Sequence, residues 1–162
     1  MSETLELRLV VNGETVRSRV AVRQNLVDFL REDLGLTGTR AGCEHGVCGA
    51  CTLRIDGVIA RSCLVFAAQI DGAQVETIEG LSDSGEIADL QAAFRARNAL
   101  QCGYCTAGIL VTAAELLRAD RVPSRVEIRE FLSGNYCRCT GYHAIVDAIE
   151  EVCRRRVAQD KQ

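Results

Sequence analysis

The amino-acid sequence predicts an α+β fold in two parts, a mixed β-sheet with one helix over residues 1–80 and a bundle of four short helices over residues 81–162. Three observations lead there. Apolar residues alternate in short runs around Asn12-Gly13 and Asp56-Gly57. After the turn-forming stretch at 79–85 (EGLSDSG) the apolar period lengthens to that of a helix. All but one of nine cysteines fall into two tight groups, one in each part.

Residues 5–12 (LELRLVVN) and 15–22 (TVRSRVAV) read as two strands flanking Asn12-Gly13, whose tolerance of positive φ suits a tight hairpin turn. Asn25 is placed to cap a short helix in which Leu26, Phe29 and Leu30 share one face, ready to lie across the sheet. A glycine-rich loop then runs from Gly35 to Gly49. Residues 51–55 and 58–64 follow as a second hairpin around Asp56-Gly57, and 74–78 as a further short strand. The stretch at 79–85 concentrates turn formers and marks the boundary between the parts. Beyond it, 87–99, 108–118 and 126–132 read as helices. The last of these has a specific start signal, Ser124-x-x-Glu127 after Pro123, a capping box that satisfies otherwise orphaned amides, and Gly134 is placed to end it. In the final helix Ile145, Ala148, Ile149 and Val152 fall on one face, with Asp147, Glu150 and Glu151 on the polar face.

Composition narrows the function classes. The 48% hydrophobic content is that of a globular protein. No run reaches the roughly eighteen apolar residues of a membrane span, and the N-terminus carries Glu3 and Glu6 where a secretory leader would be basic and then apolar, so a cytoplasmic protein is expected. Acidic residues slightly outnumber basic ones, giving a net charge of -3 with no basic stripe, and nucleic acid is an unsuitable partner. The single basic run, Arg154, Arg155 and Arg156, suits the C-terminal end of a helix, where it complements the dipole. Nine cysteines need a chemical explanation. Their odd number, their close spacing and the lack of a leader argue against a disulfide framework and for metal ligation.

Cys43, Cys48 and Cys51 follow the spacing C-x4-C-x2-C, and Cys63 comes at the end of the second strand of a hairpin. This is the plant-type [2Fe-2S] order, in which a loop wraps the cluster and a fourth thiolate arrives from an adjacent element. Gly38, Gly42, Gly46 and Gly49 are expected to let the backbone approach the inorganic core and aim N–H groups at its sulfurs, favouring the reduced, more negative state. Four thiolates also suit zinc, but structural zinc usually pairs two short knuckles, a poor match to three cysteines in one glycine-rich loop. His45 lies inside that loop as a solvent-facing residue, since four cysteines already complete the shell.

Cys102 and Cys105 form C-x2-C just ahead of one helix, and Cys137 and Cys139 form C-x-C just ahead of another. Two helix N-termini that converge would direct their positive dipole ends at an anionic tetrathiolate site. Spacing alone leaves zinc as a serious competitor there. Cys153 is the ninth, and its position beside Val152 on the last helix suits a small buried hydrophobe.

The strings GCEHGVCGACT at 42–52, QCGYCTAGI at 101–109 and GNYCRCTGYHAIVDAI at 134–149 closely resemble the signatures of the small iron–sulfur subunit of molybdenum hydroxylases. That family includes xanthine dehydrogenase, aldehyde oxidoreductases, aerobic carbon monoxide dehydrogenase and bacterial N-heterocycle hydroxylases. The resemblance covers nearly the whole chain, with its three motifs in the family's order. It implies a plant-type ferredoxin-like (β-grasp) domain over 1–80 followed by a four-helix-bundle-like [2Fe-2S] domain over 81–162. The implied role is that of a non-catalytic redox subunit in a heterotrimer, assembled as a dimer of heterotrimers. Electrons would leave a molybdopterin centre in a large subunit, enter the helical-domain cluster, pass to the ferredoxin-type cluster and reach FAD in a medium subunit. The resemblance further implies that Gln101 and Cys139 lie beside the pterin, Gln101 as hydrogen-bond partner and Cys139 as both ligand and closest protein link. Ala107 stands where the family commonly has proline, and Tyr136 where leucine is common. Neither is a ligand, so these departures bear on local rigidity and on the fit to the large subunit. Two other readings stay open, a free-standing ferredoxin-type carrier, which would not need the second part, and a zinc-stabilised interaction module.

Overall fold

The computed structural model describes residues 3–118 and 121–159. Strands β1 (Thr4–Val11) and β2 (Glu14–Ala21) pair antiparallel with Val11 opposite Glu14, which leaves Asn12-Gly13 as the expected two-residue turn. Both turn residues have positive φ, 51° and 84°, so the turn's twist matches that of its strands. Along β1 the alternate residues Leu7, Leu9 and Val11 are buried, as a sheet with one covered face requires.

The cover is the short helix α1 (Leu26–Asp28), which widens into a π-helical turn at Phe29–Asp33. The side chain of Asn25 accepts a hydrogen bond from the Asp28 amide at 2.9 Å, the anticipated cap. Leu26, Phe29 and Leu30 then close over Leu53 and Val75 in the first of two apolar cores. Strands β3 (Thr52–Ile55) and β4 (Val58–Arg61) form the second hairpin. The short β5 (Gln74–Glu76) slots between β1, to which it is parallel, and β3, to which it is antiparallel, giving the order β2-β1-β5-β3-β4.

Two expectations fail here for physical reasons. The strand expected over 58–64 ends at Arg61, because its partner β3 begins at Thr52, directly opposite, and the pairing runs out. Cys63 therefore sits in a 3₁₀ turn, Ser62–Leu64, anchored by the Ser62 hydroxyl donating to the Cys51 carbonyl at 2.8 Å. The stretch at 79–85, expected as a turn, is mostly helix α2 (Ile78–Asp83). Its serines do not break it, since Ser82 and Ser84 donate to the helix's own carbonyls at Ile78 and Leu81, and buried Leu81 pins it to the second core.

That core is built by α3 (Ala88–Ala96), α4 (Thr106–Leu116), α5 (Arg125–Phe131) and α6 (His143–Gln159). With α2 these make five helices where four were expected, and α6 is long. The capping box at α5 forms as expected, with the Ser124 side chain accepting from the Glu127 amide and the Glu127 carboxylate accepting from the Ser124 amide. As α6 runs on to Gln159, Arg156 falls in its last turn, as expected of the basic run, and the three arginines also make specific ion pairs. Arg156 grips both oxygens of Asp89 and the Glu86 carbonyl, while Arg154 and Arg155 pair with Glu150 and Glu151 one turn back.

The sheet meets the helices along β3. Arg54, with no accessible side-chain surface, reaches Glu115 on α4 at 2.6 Å and Glu86 ahead of α3 at 2.7 Å, with Glu76 of β5 at 3.8 Å. A buried guanidinium adds little net stability, but removing it strands the carboxylates gathered around it. Arg54→Met is therefore expected to cost roughly 3 kcal/mol in urea unfolding followed by circular dichroism. Hydrogen bonds from Arg54 and Arg156 hold Glu86 and Asp89 below the usual carboxylate range. Their contribution is complete above that range and lost as pH falls through the lowered values. Stability is thus expected to drop on the acid side, below about pH 4, and less steeply in the Arg54→Met variant.

Candidate metal centres

The loop between α1 and β3 carries three of the first four cysteines, and the 3₁₀ turn after β4 carries the fourth. Cys51 is buried and Cys43, Cys48 and Cys63 are half-buried. The Cys48 amide donates to Cys43 Sγ at 3.3 Å. That bond, helped by the amide of His45, lowers the Cys43 thiol to about 6. Burial pushes Cys63 up to about 11, with Cys51 and Cys43 adding to the rise, and burial likewise raises Cys48 with Cys43 and Cys51 contributing. The four thiols thus feel one another. His45 is exposed, with Nδ1 at 2.6 Å from the Cys43 carbonyl, in the solvent-facing place expected of it.

Of the four glycines expected to line the inorganic core, only Gly42 has a cysteine sulfur where its Cβ would be, Cys48 Sγ at 2.9 Å. Gly38 makes room for Ile78 and Glu79, Gly46 for Leu64, and Gly49 for the Gly134 carbonyl and Asn135. These three make room for neighbouring segments around the loop, and the Gly46 amide in addition donates to Cys63, opposing the rise of that thiol, as expected of a loop glycine.

In the second set Cys105 is the N-cap residue of α4, while Cys137 and Cys139 lie in the turn ahead of α6. Cys139 Sγ and Cys102 Sγ are 3.6 Å apart, and both residues are exposed. Cys137 Sγ accepts from the Thr140 amide at 3.4 Å and hydroxyl at 3.1 Å, and these bonds outweigh its burial and lower its thiol. Burial pushes Cys105 up to about 12, with Cys137 and Cys102 contributing. Tyr142 braces the turn, its hydroxyl accepting from the Cys137 amide at 2.7 Å and donating to the Asn135 carbonyl at 2.9 Å. The α4 N-terminus meets the thiols directly, whereas α6 does so across one intervening turn.

Both sets fit an iron–sulfur core. Each offers four thiols free of disulfides, some of them too disfavoured as anions to ionise together without a cation, and each has N–H or O–H donors at a sulfur. Among the described residues no three His, Cys, Asp or Glu side chains converge as a ready-made site for a single metal ion.

The sets are linked by short contacts. The Tyr136 amide donates to the Cys48 carbonyl at 2.8 Å, Asn135 Nδ2 donates to the Gly49 carbonyl at 3.0 Å, and Arg61 donates to the Gly134 carbonyl at 2.8 Å. The Tyr104 hydroxyl donates to the Ala41 carbonyl at 2.6 Å. Sequence reasoning missed Arg61, Tyr104, Asn135, Thr140 and Tyr142. Their one signal is position, because all but Arg61 lie within the cysteine strings, and Arg61 is two residues from Cys63. Gln101 is exposed beside Cys102, Tyr136 is exposed and Ala107 is half-buried. Cys153 is buried in the helical core, where burial raises its thiol, as a small hydrophobe would sit. No described helix is long and apolar enough to cross a membrane.

Comparison with known proteins gives a consistent picture. A family described as "2Fe-2S iron-sulfur cluster binding domain" matches residues 9–81, and one described as "[2Fe-2S] binding domain" matches residues 77–150. The chain is 53% identical to the nicotine 6-hydroxylase small subunit of Paenarthrobacter nicotinovorans, over 91% of this chain and 89% of that one. It is 50% identical to the caffeine dehydrogenase subunit gamma of a Pseudomonas species, over 90% and 89%. Among solved structures, a chain of quinoline 2-oxidoreductase from Pseudomonas putida 86 superposes with a TM-score of 0.88 at 49% identity, covering 96% of this chain and 97% of that one. Aldehyde oxidoreductase from Desulfovibrio gigas gives 0.84 at 38% identity, covering 98% of this chain and 18% of that longer one.

In metal-free protein at neutral pH, the low thiol of Cys43 is expected to be alkylated by iodoacetamide at least about tenfold faster than Cys63 or Cys105, read by peptide mass spectrometry. Equal rates at the three positions would contradict the geometry described.

Proposed function

This chain belongs to the family of small [2Fe-2S] subunits of the molybdenum hydroxylases, and on that premise we propose that it relays electrons from a molybdopterin centre in a large subunit to FAD in a medium subunit. It is a non-catalytic, electron-transfer subunit of an oxidoreductase. The observation that carries the finer reading is the pairing of two four-thiol sets within one chain, joined backbone to backbone at Tyr136 and Cys48.

In this proposal Cys43, Cys48, Cys51 and Cys63 hold one [2Fe-2S] cluster within a domain spanning 1–80, and Cys102, Cys105, Cys137 and Cys139 hold a second within 81–162. When bound, such a cluster supplies a site that accepts and returns one electron at a time, at a potential set by its hydrogen bonds and exposure. The residues of the chain tune that potential. The Cys48 amide at Cys43 and the Thr140 hydroxyl at Cys137 stabilise negative charge on sulfur. Exposed Cys139, 3.6 Å from Cys102 Sγ, is the ligand and protein link nearest the large subunit's pterin, and exposed Gln101, next to Cys102 in the chain, supplies an amide able to donate to it and accept from it. The assembly is a cytoplasmic heterotrimer, paired as a dimer of heterotrimers, and its substrate is chosen by the large subunit.

Anaerobically purified protein is expected to contain about four irons and four acid-labile sulfides per chain, with two distinguishable electron paramagnetic resonance signals on reduction. Colourless protein containing zinc would defeat the reading, and a stable iron-loaded monomer with no partner subunits would favour a free-standing carrier. Cys102→Ser should abolish the second-site signal and block transfer from substrate while sparing most of the first. Loss of both signals together would argue against two independent sites.

A further inference from the structure

Tyr104 lies between two cysteines of the second set, yet its contacts point at the first. Its hydroxyl donates to the carbonyl of Ala41, 63 residues earlier in the chain. Its ring edge stands 3.5 Å from the position a Cβ of Gly42 would occupy, and the same position is 2.9 Å from Cys48 Sγ. The Arg40 guanidinium lies 5.8 Å from the ring centroid, within reach of a cation–π attraction. The ring is thus held over the 40–42 segment from two directions, on the approach to Cys43, with a candidate ligand sulfur beneath the glycine it flanks.

We infer that Tyr104 is a positioning residue for the first cysteine set, supplied by the loop that carries the second. The hydroxyl fixes the 41–42 peptide where the chain turns into Cys43, and the ring edge shields one flank of Gly42, which like Tyr104 itself stays exposed on the other, so that it limits the approach of water to Cys48 Sγ from that flank alone. The inference rests on the proposed function in taking both sets to hold clusters. One-electron reduction adds negative charge at the first site, and water stabilises that charge, so the potential of this site depends on how well it is covered. An aromatic ring is the covering part, and the hydroxyl aims it.

The test is a redox titration of the purified complex, each site followed by its own paramagnetic signal, in Tyr104→Leu and Tyr104→Phe variants. Tyr104→Leu is expected to shift the first-site midpoint to higher potential and alter that signal's line shape while the second-site signal stays in place. Tyr104→Phe, which keeps the ring, should bring the midpoint back toward that of the unmodified protein. The inference is overturned if the Leu variant leaves the first-site potential unchanged or moves only the second-site signal. Should the Leu variant lose iron, loss from the first site alone with recovery in the Phe variant supports it. Loss from the second site alone, or from both sites in both variants, overturns it. Iron at only one site in the unmodified complex would instead defeat the reading of two clusters.

Discussion

The carbonyl oxygen of Gly49 is the point on which the two halves of the molecule close. It accepts from the side chain of Asn135, and from the Thr52 hydroxyl at 2.6 Å. Gly108 of α4 packs against it so closely that a Cβ there would overlap the oxygen. Asn135 is itself buried and held from behind by the Thr112 hydroxyl at 3.0 Å. A buried amide with both ends bonded has one orientation, so the loop next to Cys48 and the turn next to Cys137 are fixed to each other through a shared network. Any larger residue at 49 or 108 would separate them.

Around this hub the seam carries further polar contacts. Arg54 brings a full charge to the contact of sheet and helices, and Arg61 links Thr52 to Gly134. Each half has its own apolar core, with Ile59 of β4 packed against the helical one, and directional bonds to fixed carbonyls add a defined register. A seam of this kind gives the two cysteine sets a defined separation where an apolar one would give only adhesion.

Much of this was legible in the sequence, and the reasons are local. The Asn12-Gly13 turn, the Asn25 cap and the Ser124 to Glu127 box each rest on chemistry within a few residues, and each formed as expected. The eight paired cysteines were grouped by spacing alone. What escaped depended on partners far along the chain. The placing of β5 between β1 and β3 follows from closing the sheet, not from the three residues of β5. The 79–85 stretch has the composition of a turn, and only the docking of Leu81 makes it a helix. Arg54 looks like an ordinary outward residue of a strand until Glu86 and Glu115 arrive to surround it. The loop glycines show close approach in the sequence, but not which group approaches: a sulfur lies against Gly42, while Gly38, Gly46 and Gly49 also admit side chains and a carbonyl from distant segments.

The joint at Gly49 also imposes an order on biosynthesis. All five strands, ending at Glu76, emerge from the ribosome before any residue that touches that carbonyl from the helical side. Domains fold as they are synthesised, N-terminal part first. The cysteine loop is therefore shaped while its outer flank still lacks Tyr104, Asn135 and Tyr136. Once α4 and the 134–142 turn dock, the late-made half ties down a loop that the early half had already laid out.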